Sequence, residues 1–194
     1  GTGGLDGDQR TAREVFAADS GEATKILYFT PKIAGFQGGI SYALNGEDSG
    51  SFAGSKDATQ DHVEAGVNWL GEFGSFELGA FAGLSSFTPE AGVVDRDRAL
   101  GWTVGGLVGF GGVSLAAGYF DNDDDALGDA DANPIDWSAN VGIGGELDGF
   151  GLSFAFQHDE LRDGNEQYYV LSADRALLPG LALRGELAYL DGDD

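Results

Sequence analysis

One unit recurs along this chain: two stretches in which apolar and polar residues alternate one by one, joined by a very short turn and followed by a longer, acidic loop. The tight turns sit near Gly35, Gly74, Gly111, Gly149 and Pro179. Successive side chains of a strand point to opposite faces, so this pattern predicts a sheet with one greasy face and one wet face. Between His62 and Phe73, for example, Val63, Ala65, Val67 and Trp69 share one face, and His62, Glu64, Gly66, Asn68 and Glu72 share the other. The scheme returns downstream, with Leu100, Trp102, Val104, Val108 and Phe110 opposite Gly101, Thr103, Gly105, Leu107 and Gly109. Phe150, Leu152, Phe154 and Phe156 likewise lie opposite Gly151, Ser153, Ala155 and Gln157.

Which face meets water decides the fold. The solvated face of a soluble sandwich is usually rich in Lys, Thr, Glu and Arg, whereas here the polar face is mostly Gly, Ser, Asn and carboxylate. A transmembrane barrel has that arrangement, with its apolar face toward lipid and small or polar residues toward a watery interior. Leu100 to Phe110 and Trp137 to Leu147 each supply the roughly 9 to 11 residues that a tilted strand needs to cross a bilayer. Phe36, Phe73, Phe76, Phe110 and Phe150 lie beside the turns, and Tyr42, Trp69, Trp102, Tyr119, Trp137, Tyr169 and Tyr189 lie farther up the same faces, where interfacial belts belong. The predicted fold is therefore all-β: an antiparallel up-and-down transmembrane β-barrel with ten strands in five hairpins. The strands are expected over 25–33 with 36–45, 61–73 with 75–87, 99–110 with 112–121, 136–147 with 150–162, and 166–177 with 181–191. Residues 1–24 read as a charged, Gly-rich loop without the apolar run of a signal peptide, and residues 25–194 as the barrel strands.

Composition narrows the alternatives. No stretch approaches the roughly 18 apolar residues of a membrane helix, so any spanning falls to strands. The absence of cysteine removes disulfides and thiol chemistry. A formal charge of −23 with only ten Lys and Arg argues against nucleic acid as a partner. The two histidines, His62 and His158, stand near strand ends with no pattern supplying a nucleophile and an orienting acid. A constellation of His158, Asp159 and Glu160 with Ser86 is the only catalytic candidate, and the chain is not read as an enzyme. The acidic run from Asp121 to Asp131 reads as a solvated loop, with Ca²⁺ at Asp121, Asp123 and Asp125 as the alternative; Gly128 sits in the wrong place for an EF-hand and no glutamate closes the loop. No other cofactor is expected.

The segment Lys25 to Asn45, KILYFTPKIAGFQGGISYALN, resembles a stretch of the general diffusion porins of alphaproteobacterial type, a Gram-negative family. The matching positions are Ile26, Tyr28, Thr30, Pro31, Gly35, Phe36, Gln37, Gly39, Ile40, Ser41 and Tyr42, with looser likeness in Val63 to Asn68 and in Leu178 to Tyr189. The resemblance implies a barrel of about 16 strands, usually trimeric, in which an external loop folds into the pore as a constriction. On that register residues 1–24 correspond to the constriction loop, with Asp6, Asp8, Arg10, Arg13, Glu14 and Asp19 as its charges, and the ten strands form the later part of the wall. The sequence is then read as part of a longer product, closure into a smaller ten-stranded barrel being the alternative.

The resemblance implies a water-filled channel in the outer membrane for passive diffusion of small hydrophilic solutes and ions, in contact with lipid and lipopolysaccharide. Lys32, Glu64, Glu72, Glu77, Glu146, Asp174, Arg184 and Glu186 are the expected pore-lining charges, and their acidic balance predicts a weak cation preference. The alternatives are a non-conducting structural or adhesin-type barrel that works through its acidic outer loops, and a soluble acidic sandwich.

Overall fold

A computed structural model describes residues 24–45, 60–88, 98–122, 135–161, 163–179 and 181–193. They form ten strands: β1 (Lys25–Phe29), β2 (Phe36–Asn45), β3 (Gln60–Phe73), β4 (Phe76–Thr88), β5 (Ala99–Phe110), β6 (Val113–Asn122), β7 (Ile135–Leu147), β8 (Phe150–Leu161), β9 (Gly164–Leu178) and β10 (Leu181–Asp193). All belong to one antiparallel sheet in which each strand pairs with its neighbours in sequence, leaving β1 and β10 as the edges. The short turns all fall at one end of the sheet, where Ala34-Gly35, Gly111-Gly112 and Asp148-Gly149 each have positive φ at both positions and Gly74 has it at the first. These are the mirror-image turns whose twist suits a two-residue hairpin.

The first hairpin departs from the predicted pattern. The strand expected over 25–33 stops at Phe29, because Pro31 has no N–H to give to the ladder. Pairing slips by one residue between Phe29↔Gly39 and Ile33↔Phe36. At the slip the Thr30 amide donates to the Gly38 carbonyl at 2.9 Å, and Thr30 Oγ1 accepts from the Gly38 amide at 2.9 Å. Such a bulge reverses the side-chain alternation, so Lys32 turns to the face that strict alternation from Tyr28 denies it.

The two faces differ as the sequence leads one to expect of a membrane wall. Leu84, Val104, Phe110, Leu115, Ile143, Phe154, Leu171 and Leu187 share one face and are all exposed. Apart from Gly109 near the turns, the buried residues lie on the opposite face, toward its loop end: Ala43, His62, Ser85, Phe87, Ala99, Gly101, Phe120, Asn122, Ser138, Gln157, Asp159 and Leu161. A sheet that exposes most of its large apolar residues and buries serine, asparagine and aspartate has its solvents reversed relative to a soluble protein. We call the second face the inner one.

Aromatic residues edge the outer face at two levels. Toward the turns, Phe76 stacks on Phe110 with centroids 4.8 Å apart, and Arg175 lies 4.5 Å over the Phe150 ring. Toward the loops, Trp102, Tyr119, Trp137 and His158 follow one another at 5.2, 5.9 and 5.1 Å, and Phe156, Tyr169 and Tyr189 continue the band. Trp102 and Phe110 stand about 27 Å apart along β5, or roughly 21 Å along the normal at a tilt near 40°, comparable with the roughly 25 Å apolar band of outer-membrane barrels. Trp69 belongs to the turn-side level rather than higher up, because its indole packs against Phe36 at 6.1 Å and leans toward Gly35 and Gly71.

Candidate functional site

The inner face is the surface on which function has to be sought, and cross-strand register orders it into rows. Near the turns, one row runs Glu72, Glu77, Gly109, Ser114, Gly144, Ser153, Ser172 and Glu186. Two carboxylates oppose each other directly at one end, and a third stands at the other, where Ser172 Oγ donates to Glu186 Oε2 at 3.2 Å. An adjacent short row holds Glu146, Gly151, Asp174 and Arg184. Glu72, Glu77, Glu146, Asp174 and Arg184 are exposed. These predicted residues thus gather in one acidic rim, with Arg184 paired in register to Asp174.

Glu64 stands apart, nearer the loops. Ser41 Oγ donates to its Oε2 at 2.5 Å, and Lys25 Nζ lies 3.8 Å from the same oxygen. Lys25 is an inner-face cation that charge counting along the sequence overlooked. Its signal was the alternation itself, since Lys25 opposes Ala43 and shares the parity of Ser41 and Glu64. Lys32, redirected by the bulge, borders a concavity of about 370 Å³ together with Gln37, Asn68, Phe81 and Asn140.

The middle of the inner face is neutral. One row reads Gln37, Asn68, Phe81, Gly105, Gly118, Asn140, Gln157 and Tyr168. The amides of Gln37, Asn68 and Asn140 offer both donors and acceptors to a passing solute without fixing its charge. A search for charges passes over them, although their polarity is plain in the sequence. Above them the wall is packed: His62 stacks on Phe87 at 5.0 Å, and Gln157 Nε2 donates to both oxygens of the buried Asp159 at 2.8 and 3.0 Å.

The catalytic candidate is not assembled. His158 lies on the outer face between Trp137 and Glu160, its Nε2 3.5 Å from Glu160 Oε2, while Asp159 points inward. Ser86 is on β4, where it accepts from Arg98 Nε at 2.7 Å and donates to the Ala99 carbonyl at 2.8 Å. Asp121, the described member of the Ca²⁺ candidate, accepts from the Tyr119 hydroxyl at 3.0 Å in the outer aromatic band. Asp123 and Asp125 lie outside the described residues, as do Asp6, Asp8, Arg10, Arg13, Glu14 and Asp19 of the expected constriction loop.

A lipid-directed apolar face with aromatic borders, backed by a polar inner face, defines the wall of an outer-membrane β-barrel. The family model for Gram-negative porins matches residues 1–194, and the chain belongs to that family. This membership places it in the outer membrane of a Gram-negative bacterium. Among solved structures, the anion-selective porin from Comamonas acidovorans is similar, with a TM-score of 0.62 at 20% identity. The match covers 88% of this chain and 49% of that porin, so the chain spans about half of its length. No curated protein matches the sequence.

Proposed function

We propose that this chain forms part of the wall of a water-filled channel through which small hydrophilic solutes and ions diffuse passively, with a weak preference for cations. One observation supports the reading above the others: the inner face presents a row of amides and a turn-side row of serines and exposed carboxylates, while most of the large exposed apolar side chains stand on the opposite face. Of the inner-face cations among the described residues, Lys25 and Arg184 stand beside Glu64 and Asp174, which leaves Glu72, Glu77 and Glu146 as exposed negative charge against Lys32. Rings of carboxylates select cations in channels. The Comamonas porin is described as anion-selective, but at 20% identity the likeness concerns the fold and not the charges. In the same reading residues 1–24 supply the constriction, three protomers assemble, and the loop-side aromatic band meets lipopolysaccharide.

Planar-bilayer recording tests this. Stepwise conductance is expected, with a potassium-to-chloride permeability ratio above one that moves toward one when Glu72 and Glu77 are both changed to Gln. A ratio below one overturns the selectivity, and a silent bilayer overturns the channel. Silence would favour a second reading, a non-conducting structural or adhesin-type barrel. The packing of Phe87, Ala99, Phe120 and Leu161 on the inner face near the loops is the observation on its side.

A further inference from the structure

We propose that the inner face over β1–β4 holds a binding subsite for a pyranose sugar. A concavity of about 420 Å³ opens there, within the range of small-molecule sites. Its floor is glycine, with Gly39 and Gly66 opposite each other on β2 and β3. Phe29 and Phe81, with Leu27 beside Phe29, form its apolar sides; the two rings are 62% and 46% exposed, although both point to the wet face.

Both rings lie against the wall rather than standing up from it. A Cβ on Gly39 would meet Phe29 Cδ1 and Cε1 at 2.8 Å, and one on Gly105 would meet Phe81 Cε1 at 2.3 Å. Each ring therefore occupies the space of a missing side chain and turns a broad surface to the interior. Polar groups border the concavity at two ends: Gln37 and Asn68 toward the turns, and Ser41, Glu64 and Lys25 toward the loops. Gln37 Nε2 is held by the Thr30 carbonyl at 3.3 Å, which fixes the orientation of that amide.

A pyranose matches this combination because its axial hydrogens make a flat apolar face while its hydroxyls project around the edge. Aromatic side chains offer large apolar surface with defined geometry, and amides and a carboxylate supply the donors and acceptors that ring hydroxyls require. A planar aromatic solute would use the phenyl rings and leave the polar ends unmatched. An ion would use the polar ends and ignore the rings.

This inference deepens the channel reading by naming a solute, and its test needs no ion flow. Saturation-transfer NMR on the detergent-solubilised chain would use methyl glucoside, sorbitol and benzyl alcohol as probes. Transfer is expected to be strongest to the ring-face protons of methyl glucoside, weak to sorbitol, which has the hydroxyls without the face, and weak to benzyl alcohol. Phe81→Leu is expected to reduce the glucoside signal severalfold. Gly39→Ala should act alike by lifting the Phe29 ring, since its added methyl meets chiefly that ring, and it serves as the test should Phe81→Leu fail to fold. Equal transfer to sorbitol, a preference for benzyl alcohol, or an undiminished signal in the folded variants overturns the proposal. A conducting channel without a glucoside signal sinks this inference alone, and a silent protein that still binds the sugar sinks the channel reading alone.

Discussion

Single residues hold the first hairpin in place. Gly35 has φ of +87°, and a Cβ there would stand 2.2 Å from the Leu70 carbonyl oxygen and 2.9 Å from Trp69 Nε1. Gly35→Val combines a strained backbone with that collision, and we expect it to cost about 1–3 kcal/mol, read as a lower urea midpoint for the protein in vesicles. The Glu72 and Glu77 pair has the opposite character, since like charges directly across a strand pair oppose pairing. Glu77→Gln is expected to raise the same urea midpoint while lowering cation preference, so that stability and selectivity move in opposite directions. Lys32 tests the bulge. The chain has no cysteine, so Lys32→Cys and Ile33→Cys can each be labelled cleanly. A charged, water-soluble thiol reagent should modify the first readily and the second slowly; the reverse order would mean that no bulge intervenes after Phe29.

Strands make their faces known through alternation, and this is why most of the architecture was legible in the sequence. Ala99–Phe110 coincides with its expected range, and most other strand ends fall within a residue or two. What escaped required knowledge of neighbours. The stop at Phe29 depends on a proline acting through the ladder, and the position of Trp69 depends on Gly71 two residues along its own strand and on Gly35 in the turn of the neighbouring hairpin. The acidic rim depends on registers carried through successive hairpins, because Glu77 and Glu186 share a row only after every intervening turn has set its offset. Charges near each other in space were therefore visible as members of a face but not as members of a row. At this scale the assignment of faces is open to a direct contrast. Val141→Arg, in the middle of β7 on the outer face, is expected to lose roughly 2–4 kcal/mol, as for a basic residue at the bilayer midplane. Ala116→Arg, on the inner face of β6, should leave the unfolding midpoint nearly unchanged. Equal losses at the two positions would contradict the assignment.

For the whole molecule, the charge of −23 and the exposed acidic rim set how selectivity responds to salt. The screening length is about 10 Å at 0.1 M and about 3 Å at 1 M, so carboxylates that line a wall act on passing ions across water only at the lower concentration. We expect the potassium-to-chloride permeability ratio to decline toward one as salt rises over that range; a ratio independent of salt would place the selecting groups in a constriction rather than along the rim. The pairing of every strand with its neighbours in sequence has a consequence in time. Loop-closure entropy grows with the length of chain enclosed, and among the ten described strands no pairing waits for a distant segment. Each hairpin can zip from its two-residue turn and then add to the last free edge, covering the exposed backbone groups of the strand before it. The order of the chain thus doubles as an order of assembly, in which a half-built wall already has the hydrogen-bonding pattern of the finished one.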